Sequence, residues 1–162
     1  MKAPLVLAAC LLLVDVAVAA DPVAGATAQQ AARWVLSQVK AALKKGNTPP
    51  TDHPLRKVFE ECVESVEPVQ LEAAAQQTLL AHLGEADLKI SDQFFESPAG
   101  AKFFVRDKPP SAQERELLDF LATSASEKLR VAMTTPAGRA PINKKIEDLV
   151  AACGAAHQGK SS

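Results

Sequence analysis

From Thr27 to Cys153 the apolar side chains recur at every third or fourth position, with polar and charged residues filling the opposite faces. That period belongs to amphipathic helices. Ala28, Ala32, Val35, Val39 and Leu43 form one stripe, with Trp34 and Leu36 beside it. Thr27 stands where a cap is wanted and Gly46-Asn47 where a stop is, which predicts a first helix from about Thr27 to Lys45. Gly46 to Pro54 is rich in proline and reads as a loop. Leu55, Val58, Phe59, Cys62, Val63 and Val66 predict a second helix with Cys62 on its apolar face and Glu60, Glu61 and Glu64 facing out. Pro68 opens a third, about Val69 to Leu83, with Leu79, Leu80 and Leu83 at its buried end. Gly84 closes it, and a fourth runs from about Glu85 to Glu96, carrying Leu88, Ile90, Phe94 and Phe95.

Ser97-Pro98 restarts the chain, serine as cap and proline in the first turn. A short fifth helix is expected to about Arg106, presenting Ala101, Phe103, Phe104 and Val105. After Pro109-Pro110, Ser111 to Glu114 has the form of a capping box. It starts a sixth helix to about Met133 that packs with Leu117, Leu118, Leu121, Ala125, Leu129 and Ala132. Thr134 to Pro141 reads as a loop. A last helix, about Ile142 to Ala152, places Ile146, Leu149, Val150 and Cys153 on one stripe. Strand signals are thin, since the chain has no tyrosine and no sustained alternation. The expected fold class is all-α: a single compact helical domain of about six or seven helices.

The first twenty residues have a different pattern. Met1-Lys2 is a short positive start, Leu5 to Val14 is an apolar run, and Ala17 to Ala20 is a small-residue exit before Asp21-Pro22. This is the order of a secretory signal peptide that is cleaved. A retained membrane anchor would need about 20 predominantly apolar residues, and Asp15 interrupts this run. Leu7-Ala8-Ala9-Cys10 has the outline of a lipobox, but too few residues separate Lys2 from Ala9 to build a full apolar core. The expected organisation is a signal peptide at 1–20, a flexible leader at 21–26, a helical domain at 27–153 and a disordered tail at 154–162.

With 18 basic and 19 acidic side chains the net charge is −1. Cleavage removes one of each, Lys2 and Asp15. A balanced surface offers no electrostatic footprint for nucleic acid or anionic lipid. Of the cysteines, Cys62 and Cys153 remain after cleavage. In an oxidising compartment they are a candidate disulfide, and the alternative is two buried cysteines packed as small hydrophobes.

Phe94-Phe95-Glu96-Ser97-Pro98-Ala99-Gly100-Ala101-Lys102, preceded by Leu83-Gly84-Glu85-Ala86-Asp87-Leu88 and succeeded by Pro109, resembles the domain-of-unknown-function 2059 family. That family's secreted bacterial helical domains carry an aromatic pair, then Ser-Pro-x-Gly, a spacer and a lysine. The resemblance covers about Val69 to Pro110. One departure is Phe95, where a tyrosine is common. The resemblance implies an all-helical envelope protein, in a periplasm rather than a Gram-positive exterior, and it implies no activity. The residues themselves suggest a helical corner, with Gly100 allowing close approach by Phe94 and Phe95, and with Lys102 within reach of Glu96. Phe94, Phe95, Glu96, Ser97, Pro98, Gly100 and Lys102 are the candidate motif or interaction residues.

Nothing in the chain groups into catalytic machinery. His53, His82 and His157 share no His-x-x-His or Glu-x-x-His spacing, and no metal or cofactor is expected. A cysteine nucleophile would need Cys62 or Cys153 exposed beside a base, and their placement on apolar faces argues against that; no Gly-x-Ser-x-Gly elbow occurs. Glu60, Glu61, Glu64 and Glu67 form the densest acidic run, which reads more simply as a solvated helix face than as an acid–base pair. The expected function is that of a non-enzymatic periplasmic protein that binds an envelope protein, a peptide or an apolar small ligand. An envelope hydrolase using acidic residues and an N-terminally anchored structural protein are the alternatives.

Overall fold

The structure, a computed structural model, describes residues 24–45, 56–105 and 108–159. The signal-like segment with Cys10, and the Gly46 to Pro54 stretch with His53, lie outside the described residues. Among the described residues six α-helices succeed one another: α1 (Ala26–Lys44), α2 (Arg56–Ser65), α3 (Glu72–Phe95), α4 (Arg115–Leu121), α5 (Ser124–Thr134) and α6 (Pro136–Gly159). Two 3₁₀ segments, Pro68–Leu71 and Gly100–Val105, complete the elements. No strand occurs among the described residues, and the chain is all-α as its periodicity requires. No helix among them is long and apolar enough to cross a membrane.

α3 is the centre of the fold. α1 lies along it, α5 and α6 pack on it, and α2 packs on α6. Val35, Leu71, Leu79, Leu117, Leu129, Met133 and Ile142 are fully buried and join these layers. The α1 stripe turns inward as expected, with Ala28, Ala32, Val35 and Leu43 buried and Val39 partly so.

The start of α1 is built differently from the expectation. Its cap is Gly25, not Thr27. The acceptor for the first turn comes from far along the chain: the Thr27 amide donates to Asp92 Oδ1 at 2.8 Å. A Cβ on Gly25 would stand 2.3 Å from that carboxylate, so the position admits only glycine without displacing Asp92. Thr27 itself is buried, and its hydroxyl has no partner among the described protein atoms.

Gly84 interrupts α3 as expected, at φ 76° and ψ 168°. An L side chain is strained there. The kink frees the end of the first half of the helix. Lys128 of α5 answers it, donating to the Leu83 carbonyl at 3.5 Å and to the Asp87 carboxylate. Ser124 also donates to Asp87, at 3.0 Å. Hydrogen bonds from Lys128 and then Ser124 hold the Asp87 carboxyl below its ordinary pKa.

Three boundaries differ from the periodicity reading. The expected sixth helix is two, because Thr123 breaks it and caps α5 by accepting from the Ser126 amide at 3.2 Å. That break resets the helical phase. Leu117 and Phe120 are buried, while Leu118 and Leu121, expected inside, are exposed. Leu80 and Ile90 are likewise exposed. The stretch read as a loop from Thr134 to Pro141 is largely the first turns of α6. Only Thr135 is extended; its hydroxyl accepts from the Gly138 amide at 3.1 Å, and Pro136 opens the helix. Gly138 is buried, and a Cβ there would lie 2.2 Å from the Ala132 carbonyl, so α5 and α6 cross at touching distance. Pro141 is within the helix but on its exposed side. It has no amide to donate to the Ala137 carbonyl one turn earlier, and Ala137 is itself exposed. At the other end α6 continues through Gly154 to Gly159, where the sequence suggests a tail.

Candidate functional site

Two places concentrate the residues singled out by the sequence. The first is the Ser97-Pro98 corner. Phe94 stacks on Phe120 with ring centroids 4.0 Å apart and planes 4° from parallel. Phe95 stacks on Phe104 at 5.4 Å. Phe103 stands edge-on to Phe94 and to Phe95, and Trp34 of α1 covers Phe104 at 5.5 Å. Phe94, Phe95, Phe103 and Phe104 thus form one aromatic cluster. Phe120 and Trp34 are members that the motif does not contain; Phe120 shares a helical face with Leu117, and that spacing is its one signal in the sequence.

The chain at the corner is held by short local bonds. The Gly100 amide donates to Ser97 Oγ at 3.2 Å, and the Ala101 amide to the Ser97 carbonyl at 3.1 Å. Beyond the corner the chain forms the 3₁₀ segment Gly100–Val105, not the α-helix expected from Pro98. A Cβ on Gly100 would lie 2.1 Å from the Phe94 carbonyl oxygen and 2.6 Å from the Phe95 Cα. Both obstacles are backbone, which cannot swing aside. Gly100→Leu is therefore expected to destabilise by at least the roughly 1–3 kcal/mol typical of overpacking. Ser97→Ala should cost about 1 kcal/mol as a lost cap. Urea unfolding of both variants checks this, and an unchanged midpoint for Gly100→Leu would show that the corner can open without penalty. Glu96, Pro98 and Lys102 are exposed, and no ion pair joins Glu96 to Lys102. The rings of the corner face one another, so its geometry is that of a packed joint.

The second place is the seam between α2 and α6. Cys62 and Cys153 meet there and are bonded, with Cα atoms 5.6 Å apart. Beside the bridge the two helices stand apart around a groove of about 570 Å³. Its wall on α2 is Val58, Phe59, Cys62 and Val63, two pairs spaced one turn apart. On α6 it is Asn143, Ile146, Glu147, Val150, Ala151, Gly154 and Gln158, which is one helical face. Val39 of α1 adds to the lining. Apolar side chains dominate, and Asn143, Glu147 and Gln158 supply the polar groups. Phe59, expected in the core, is 40% exposed because the groove leaves it uncovered. Periodicity assigns these faces correctly as apolar. It cannot show that they fail to close on each other.

His157 lies one turn beyond Cys153 on α6. A ring nitrogen of His157 and the two cysteine sulfurs lie within 4.8 Å of one another. The Cys-x-x-x-His spacing is present in the sequence, but it carries meaning only on a helix, and α6 extends further than its apolar stripe indicates. His82 is exposed on α3.

The acidic run on α2 is matched by cations. Arg56 pairs with Glu60 at 2.6 Å, Lys57 with Glu61 at 3.8 Å and Lys40 with Glu64 at 3.5 Å. Lys40 also donates to the Glu64 and Val66 carbonyls, closing the end of α2. Glu67 belongs to the turn that starts the Pro68–Leu71 segment, where its amide donates to Gln70 Oε1 at 2.9 Å. These carboxylates form a paired, solvated face, and such exposed pairs each contribute about 0–1 kcal/mol. No family model, no curated protein and no solved structure matches the chain.

Proposed function

We propose that this is an exported, periplasmic, non-enzymatic helical protein that acts by binding, and that its ligand is a small apolar molecule with a polar end, held in the groove between α2 and α6. The groove carries the reading. Its volume, about 570 Å³, lies in the range of small-molecule sites, roughly 300–1,000 Å³. Its lining is apolar with a few polar groups to orient a ligand, which is the composition of such sites. Export is supported by the signal-like order of residues 1–20 and by a cysteine pair positioned for an oxidising compartment. An envelope setting is supported by the resemblance of Phe94 to Lys102 to the domain-of-unknown-function 2059 family. An acidic hydrolase has less support, since Glu60, Glu61 and Glu64 are each occupied by a cation.

The test uses Gly154, which lines the groove and where a Cβ would meet nothing within 4 Å. Gly154→Phe should fill the groove from α6. An apolar fluorescent probe such as anilinonaphthalene sulfonate should bind the natural chain, be displaced by long-chain fatty acids, and bind the variant at least about tenfold more weakly, a loss of about 1.4 kcal/mol. The variant should be no less stable, because leaving glycine at a mid-helix position gains up to about 1 kcal/mol. Equal probe and fatty-acid binding by both proteins would sink the reading. A protein crosslinked across the α2–α6 seam in intact envelopes would replace it with a protein partner.

A further inference from the structure

We propose that opening the Cys62–Cys153 bridge turns the α2–α6 seam into a zinc site, with Cys62 Sγ, Cys153 Sγ and a ring nitrogen of His157 as ligands. The three atoms already lie within 4.8 Å of one another. In a tetrahedral site with Zn–S near 2.3 Å and Zn–N near 2.0–2.1 Å, neighbouring ligand atoms stand about 3.5–3.8 Å apart. The histidine must close in by no more than roughly 1.3 Å, and the two sulfurs, once unbonded, must part to that spacing. Side-chain rotation covers both. The backbone is already suitable. Cys153 and His157 project from the same face of α6, one turn apart, and Cys62 faces them from α2 with its Cα 5.6 Å from that of Cys153.

The chemistry of the set favours zinc. Two thiolates neutralise a divalent ion, imidazole is its other preferred ligand, and a water completes the Cys₂His arrangement. Burial is graded from the inner to the outer ligand. Cys62 is fully buried, Cys153 half-buried and His157 exposed, so the ion enters from solvent and is anchored from inside. The reductant is a dithiol. It supplies two electrons and two protons to the S–S bond, leaving two thiols on this chain, and closes to its own disulfide. Zinc then displaces both thiol protons to water as it binds. In oxidising surroundings a covalent bond ties α2 to α6, and in reducing ones a metal does. Cys62 also lines the groove, but the inference does not rest on the ligand-binding proposal, since metal uptake is read with no groove ligand added.

The full chain would be reduced with dithiothreitol under argon, freed of reductant, and titrated with cobalt(II) alone and then with zinc. The reduced protein should take up about one cobalt per chain with tetrahedral visible bands and thiolate charge-transfer bands in the near ultraviolet. Cobalt uptake should release about two protons, and zinc should then erase the bands by displacing cobalt, with no further proton release. The bridged protein should give no such bands. His157→Ala retains both cysteines and the bridge. Once reduced, it should lose more affinity than the roughly 10–100-fold that removing an outer-shell partner costs metal sites. Circular dichroism on the same samples reads whether α2 and α6 stay helical. The idea is overturned if reduced protein takes up no cobalt, if bridged protein gives the same spectrum, or if His157→Ala binds as tightly as the natural chain.

Discussion

Replacing Cys62 and Cys153 together with alanine is expected to lower the free energy of unfolding by about 2–5 kcal/mol, the range seen when a native bridge is removed. The sequence separation is 91 residues, and closing so long a loop costs the unfolded chain about 4–5 kcal/mol on the entropic account. The effect should also be localised. α2 has ten residues, of which only Cys62 and Val63 are buried. A helix that short is marginal alone, and the groove removes much of the packing it would otherwise share with α6. The bridge therefore does for α2 what apolar contact does for the other long elements. Urea unfolding gives the global loss, and amide exchange should show protection falling first along Arg56–Ser65. If the double variant unfolds at the natural midpoint with α2 equally protected, the bridge is not what holds that helix.

Phe94→Ala should cost about 3–5 kcal/mol, the range for removing a buried aromatic ring. Phe94 is buried against Phe120 at 4.0 Å and meets Phe95 and Phe103 edge-on. Its carbonyl oxygen is also the atom against which Gly100 is packed. Losing the ring leaves a cavity at the point where the end of α3, the 3₁₀ segment and α4 converge. The neighbours cannot collapse into it, because Gly100 and Ser97 fix the backbone on one side. Thermal unfolding together with near-ultraviolet circular dichroism would report the loss. A drop under about 1 kcal/mol would mean that the cluster repacks freely, contrary to the cavity account.

Much of this architecture is legible in the chain, and the reasons differ by element. α1 and α2 are readable because each has one apolar stripe and one face to bury. Gly84 is readable because a glycine after a full helical pattern marks a left-handed or otherwise special backbone. Thr123 and Thr135 are harder to read as caps, although each stands before a helix in the way Ser97 stands before Pro98. The unbroken apolar spacing across Leu121 to Ala125 hides the first, and Gly138 and Pro141 make the second resemble a loop. The Cys62–Cys153 pairing is legible as a candidate from compartment and count, while Phe120 and His157 are legible only by helical spacing. Neither the groove nor the role of Asp92 can be read. A gap between two apolar faces depends on how far apart the helices settle, and the acceptor at the start of α1 comes from a residue 65 positions away.

That distant acceptor has a bearing on the order in which the molecule assembles. A helix usually closes its first turn with a residue of its own, so it can form as soon as it is synthesised. Here the carboxylate that receives the Thr27 amide belongs to the second half of α3, beyond the Gly84 kink. As the polypeptide emerges from its N-terminus, α1 exists as sequence long before its first turn can be completed. A nascent chain arrested ahead of Asp92 should leave the Thr27 amide exchanging freely, and one extended past α3 should protect it. The first turn of α1 is thus finished by the second half of α3, and of the described helices the earliest made is among the last to be secured.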